Sequence, residues 1–174
     1  MTPGSSIICT VTADDGDGGT ATASALATVV NSAPTILSVV ISPDVGVVAG
    51  ETLTCTAVAT DPDGDAVSIS YEWQNLTTMA AATSGQTYAV IGGTDSPDDV
   101  LQCTATATDA RGASATGTDS VIVENTDPVV TVVNITPTGP YNDSTVTCLA
   151  TVTDADMSSV SICLLYTSPS PRDS

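Results

Sequence analysis

The chain has 174 residues, of which 20 are acidic and two basic, with no Lys, His or Phe and a net charge of −18. Such a charge excludes nucleic acid as a partner and disfavours anionic membrane surfaces. Without histidine, and with only Arg111 and Arg172 to stabilise a developing anion, the chain is not expected to be an enzyme. No run of 18 apolar residues suggests a membrane-spanning helix.

Two stretches align along the chain. "CTVTADDGDGGTATASALATVVNSAPTILSVVISP" begins at Cys9, and "CTATATDARGASATGTDSVIVENTDPVVTVVNITP" begins at Cys103, 94 residues on. Asn31 and Asn125 keep the same offset, as do Pro43 and Pro137. "LTCTAVATDPD" then matches "VTCLATVTDAD", with Cys55 and Cys148 93 apart. A period of this size in a strand pattern predicts tandem domains. Residues 1–31 read as the last two strands of one repeat, 32–125 as a complete repeat, and 126–162 as the opening strands of the next. Met1 aligns with Asp95, inside a repeat, so it is not expected to be the natural start. Residues 163–174, "CLLYTSPSPRDS", break the pattern and resemble the translation of a transposase adapter from sequencing libraries. They are set outside the fold as an adapter-derived tail.

Within 32–125 the strands come in order. "LTCTAVA" places Leu53, Cys55, Ala57 and Ala59 on one face, and "VSISYEW" does the same for Val67, Ile69, Tyr71 and Trp73. "LQCTATA" groups Leu101, Cys103, Ala105 and Ala107. Period-two alternation rich in Thr and Val predicts half-buried antiparallel strands. Turn clusters such as "DPDGD", "TSGQ", "GGTDSPDD" and "DARG" separate them. Strands are predicted over 35–43, 52–60, 66–74, 77–83, 86–91, 100–108 and 113–123. The expected fold is all-β, an immunoglobulin-like antiparallel sandwich. Cys55, Trp73 and Cys103 follow the Cys…Trp…Cys order of that fold. A disulfide beneath Trp73 compensates for a core otherwise lined by alanines, and closing that loop stabilises by about 4 kcal/mol in the chain-entropy model. The alternative is a pair of buried free thiols. Leu101 stands where many such domains carry a tyrosine two residues before the second cysteine.

The motifs "ATDPDGD…YEW", "CTATATDARGASA" and "VNSAPTILSVVISP" resemble bacterial tandem immunoglobulin-like repeats, close in pattern to cadherin-like and PKD-type repeats. The resemblance covers residues 1–162. It implies an extracellular or cell-surface location, as a stalk or adhesive region of a large protein. The implied partners are neighbouring repeats and a surface receptor or glycan.

Threading the strands up and down brings acids to the two ends of the repeat. Asp61, Asp63 and Asp65 follow the second strand, Asp109 follows the sixth, and Asn31 lies in the entering linker. At the exit end stand Asp95, Asp98 and Asp99, with linker residues Asn125 and Asp127 and the next repeat's Asp154 and Asp156. Converging oxygen ligands suit Ca²⁺, which takes six to eight of them, and the cadherin resemblance implies calcium shared at such junctions. The competing reading is that these aspartates form turns and keep the surface soluble. Asp61, Asp63, Asp65 and Glu72 have the spacing of a helix–loop–helix calcium loop. However, Ala66 replaces the glycine, and an extended strand carries Glu72 about 23 Å from Asp65. A second functional class is a carbohydrate-binding or spacer module of a secreted hydrolase, with Trp73, Tyr71 and Tyr88 as the available aromatics. Sequons stand at Asn75, Asn134 and Asn142.

Overall fold

The computed structural model describes residues 1–165, all strand, turn and loop, with no helix among them. Residues 166–174, most of the adapter-like tail, lie outside the described residues.

Two flanking hairpins bracket a sandwich. The first pairs β1 (Ser6–Asp14) with β2 (Thr20–Thr28). The sandwich contains β3 (Thr35–Ser42), β4 (Thr52–Thr60), β5 (Val67–Asn75), β6 (Thr83–Ser84), β7 (Thr87–Ala89), β8 (Val100–Asp109) and β9 (Ser114–Ile122). The second hairpin pairs β10 (Val129–Thr136) with β11 (Thr147–Thr153). The sandwich sheets have orders β3-β4-β7 and β6-β5-β8-β9, and every pairing is antiparallel. This is the all-β sandwich that the alternation predicts.

Alternation sets the core directly. On β8, Leu101, Cys103, Ala105, Ala107 and Asp109 are buried while the intervening residues are half-exposed. Ile41, Val47, Leu53, Trp73, Val90, Val121 and Val123 complete the interior. The Cys55–Cys103 disulfide joins β4 to β8 across the two sheets. Trp73 is buried beside it and stacks on Tyr88, ring centroids 5.6 Å apart. A buried indole and a cross-link supply bulk where Ala57, Ala59, Ala105 and Ala107 supply little.

β3 approaches β9 closely because Gly117 faces it. A β-carbon at Gly117 would stand 3.0 Å from methyl carbons of both Ile36 and Val39. Asp119, two residues on, accepts the Ile41 N–H at 2.9 Å and ties the same two strands.

The fourth predicted strand, 77–83, shrinks to Thr83–Ser84. The cause is local. Asn75 Oδ1 accepts the N–H groups of Thr77 and Thr78, which turns the chain as soon as β5 ends. Threonine and alanine content favours extension there, but the Asn hook overrides it.

Local geometry recurs at the sequence offsets. β3 is irregular between Ile36 and Ser38, and β10 between Val130 and Val132, 94 residues later. Asp15 Oδ1 accepts the N–H groups of Asp17 and Gly19; Asp109 Oδ1 accepts those of Arg111 and Ala113, again 94 on.

Candidate functional site

The loop after β4, the loop after β8 and the entering linker meet at one end of the sandwich. Asp61 opens the first loop. Its Oδ1 accepts the N–H of Asp63 at 2.8 Å and of Asp65 at 3.4 Å, an Asx turn closed on its own backbone. That turn aims Asp63 outward at the linker, where Oδ2 accepts the Ser32 N–H at 2.6 Å. Asp65 receives the Arg111 Nε at 3.2 Å, an ion pair at the protein surface. Asp109 Oδ2 accepts the Asn31 side-chain amide at 2.7 Å. The Asn31 amide, with the N–H groups of Arg111, Ala113 and Gly112, holds the Asp109 carboxyl below the usual carboxylate range, against the opposing effect of burial.

Asp63 thus meets the linker at Ser32, Asp109 meets it at Asn31, and Asp65 meets Arg111 of the loop after β8, while Asp61 bonds within its own loop. Their mutual repulsion is answered by donors: five backbone N–H groups, one amide and one guanidinium. Two oxygens remain buried without a hydrogen-bond partner, Asn31 Oδ1 and Asp61 Oδ2. Among the described residues no group of three or more His, Cys, Asp or Glu side chains is arranged to hold a metal ion.

The exit end divides differently. Asp95 and Asp99 are buried in the sandwich. Asn75 Nδ2 donates to Asp95 Oδ1 at 3.1 Å and to Asp99 Oδ2 at 2.8 Å, bridging the two carboxylates. The Tyr88 hydroxyl lies 3.0 Å from both Asp95 oxygens, and the Ile91 N–H reaches Oδ2. Ser96 N–H reaches Asp99 Oδ2. These acids pin the β7–β8 loop to the core from within. Burial, followed by the hydrogen bond to Asp95, pushes the Tyr88 phenol up to about 12. Asp98, at φ 72°, is exposed. Asn125 and Asp127 are exposed too, and Asn125 donates to the neighbouring Thr126 carbonyl.

Beyond β11, the pattern of the entry end returns. Asp154 Oδ1 accepts the Asp156 N–H at 2.8 Å, and Asp156 Oδ2 accepts the Thr126 N–H at 2.6 Å. Thr126 occupies the linker position of Ser32, and Asp156 that of Asp63.

The sequence reading did not place Asn75 and Tyr88 as the partners of Asp95 and Asp99. Asn75 reads as a sequon, yet it is buried and its nitrogen is engaged by two carboxylates. Nothing in the sequence marked it, because the burial that makes two aspartates need a donor is decided by the fold. Trp73 is buried, and Tyr71 is partly buried against the core with its hydroxyl accepting the Ala57 N–H. No protein-family model matches the chain, and no curated protein matches it.

Proposed function

We propose that the chain is a structural and adhesive segment of a large extracellular or cell-surface repeat protein. In this reading, each repeat grips the linker that enters it. The twinned clamp carries the reading: Ser32 to Asp63 and Thr126 to Asp156, the same bond at 2.6 Å in both places. A carboxylate that fixes a linker amide restricts the hinge between domains, which suits a stalk. The disulfide suits an oxidising compartment. Burial of Trp73 and anchoring of Tyr71 favour this reading over a carbohydrate-binding accessory module, which needs exposed aromatics. The surrounding reading frame tests it. Further repeats of about 94 residues on either side are expected, and a frame running directly into a catalytic domain overturns it.

A second reading adds Ca²⁺ at the entry junction. It is favoured by one observation, the two buried oxygens Asn31 Oδ1 and Asp61 Oδ2 that no donor among the described residues satisfies. In this reading Asp63, Asp65 and Asp109, from the same two loops, are the further ligands. Calcium there stiffens the junction by neutralising acids already gathered by hydrogen bonds. The test is a protein of two tandem copies of residues 32–125. Its melting temperature and small-angle scattering are measured in millimolar calcium and in chelator. A rise in both stiffness and melting temperature with calcium supports the site, and identical values remove it.

A further inference from the structure

Asp63 and Asp156 make the same linker bond, yet Asp156 is 2 % exposed while Asp63 is only half-buried. The difference has a visible cause. The turn Gly92–Gly93, between β7 and β8, lies against Ala155, Asp156 and Met157. A β-carbon on Gly92 would collide with the Ala155 carbonyl oxygen and come 3.3 Å from the Asp156 Cα. One on Gly93 would stand 3.2 Å from the Met157 sulfur. The β7–β8 loop of the sandwich thus covers the loop that follows β11, backbone to backbone.

We propose that Gly92–Gly93 is a docking socket whose partner is the acidic loop after the second strand of the following repeat. This contact, together with the Asp156 clamp, sets the angle between successive repeats. The proposal rests on the repeat reading above and identifies the surfaces that meet. It also assigns the tip of the entry loop, Pro62–Asp63–Gly64, where Pro62 and Gly64 are exposed and Asp63 is half-buried. That tip is the equivalent of Ala155–Asp156–Met157, and its occupant is the Gly-Gly turn of an upstream copy of the same domain.

The chemistry of the socket is steric. A carbonyl oxygen occupies the space where any other residue carries its β-carbon. Gly92 does not have a positive φ, whereas Gly93 does, at 81°. The backbone at 92 therefore accepts alanine, and only the Ala155 carbonyl forbids it. This separates docking from folding. The turn is anchored within the sandwich by the N–H groups of Thr94 and Asp95 on the Ile91 carbonyl, and by the Ile91 N–H on Asp95. None of these bonds involves the Gly92 hydrogen that faces the neighbour.

The test uses Gly92→Ala in the full chain, followed by amide NMR and by Trp73 fluorescence during melting. Trp73 is the chain's single tryptophan and reports the sandwich alone. The expected result is displaced resonances for Ala155, Asp156 and Met157, faster exchange of the Thr126 amide, and an unchanged Trp73 melt. Unmoved resonances at 155–157 overturn the proposal. A collapsed Trp73 melt also overturns it, since Gly92 would then serve its own sandwich. Met157→Ala probes the opposite side: displaced Gly92 and Gly93 amides are expected, and unmoved ones overturn the socket. Both variants are measured in calcium and in chelator. The same displacements in the two conditions are expected of a steric socket, whatever the fate of the calcium site. Displacements seen only in calcium overturn it as the element that sets the angle.

Discussion

The backbone N–H of Ser32 donates to Asp63 Oδ2 at 2.6 Å, across 31 residues of sequence. The linker is thereby fastened to the middle of the loop between β4 and β5. A hydrogen bond to a charged acceptor contributes about 1.5–3 kcal/mol where water is excluded. Asp63→Ala is expected to speed exchange of the Ser32 amide at least tenfold and leave the β8–β9 amides unchanged. Asp156→Ala is expected to do the same to Thr126. Hydrogen exchange read by NMR checks both, and an unaffected Ser32 amide would show that the linker is held by something else.

Removing the cross-link is expected to cost more than any single aspartate. Cys55→Ala with Cys103→Ala relaxes the unfolded chain and opens space beneath Trp73. The expected loss is about 4 kcal/mol, read by denaturant titration of Trp73 fluorescence. Reduction with dithiothreitol should reproduce it. Equal midpoints for the oxidised and reduced chain would show that the alanine-lined core holds by itself.

Asp109 gives a pH signature. Its carboxyl is held below the ordinary range, first by the Asn31 amide and then by backbone donors. A group whose pKa is lowered on folding adds stability above its unfolded pKa and loses it as pH falls through the folded one. The junction is therefore expected to loosen only in acid, below the ordinary carboxylate range. Carboxyl-carbon NMR should find Asp109 titrating low in the native chain, and Asn31→Ala should move it upward. The same titration midpoint in both would remove Asn31 as the cause.

Tyr88 works at the other extreme. Its phenol is pushed up to about 12 by burial and by Asp95. A raised pKa contributes stability present below the unfolded value, about 10, and lost as pH climbs through the folded one. Absorbance titration should show one tyrosine ionising near 12, together with loss of the folded Trp73 signal. Tyr88→Phe leaves the buried Asp95 short of a donor and is expected to destabilise by about 1–3 kcal/mol.

Asn75→Asp is expected to be the most damaging single change in the sandwich. It replaces the one amide between Asp95 and Asp99 with a third acid, in a site closed to water. Loss of a partner to a buried charge costs about 3–5 kcal/mol, and thermal melting checks it. The same burial predicts that Asn75 carries no glycan in a eukaryotic expression host, which mass spectrometry of the intact protein reads directly.

Much of the architecture was legible because strands write themselves in period two. Leu53, Cys55, Leu101 and Cys103 fall on the inner face by counting alone, and the two cysteines lie opposite one another once seven strands are folded into two sheets. Antiparallel threading also brought Asp61, Asp63, Asp65 and Asp109 to the linker end. The recurrence of Asp15 in Asp109, and of Asp63 in Asp156, was readable as an offset before it was visible as a hydrogen bond.

What those aspartates do was decided only in three dimensions. A carboxylate is an acceptor without a stated partner, and its partner can be a cation, a side chain or a backbone amide that the sequence does not mark. Backbone donors look alike along the chain, so nothing in "DPDGD" names the Ser32 N–H. Asp95 and Asp99 read as exit-junction acids together with Asp98, but folding turned two of them inward onto Asn75 and Tyr88 and left the third in solvent. Asp119 on β9 holds the Ile41 amide, a partner that no spacing in the sequence names. Gly92 reads as a flexible turn, yet its role is to leave room for the Ala155 carbonyl. Period and offset are local quantities carried by the chain. Hydrogen-bond choice and steric room depend on which distant backbone arrives alongside, and only the packed structure brings that backbone there.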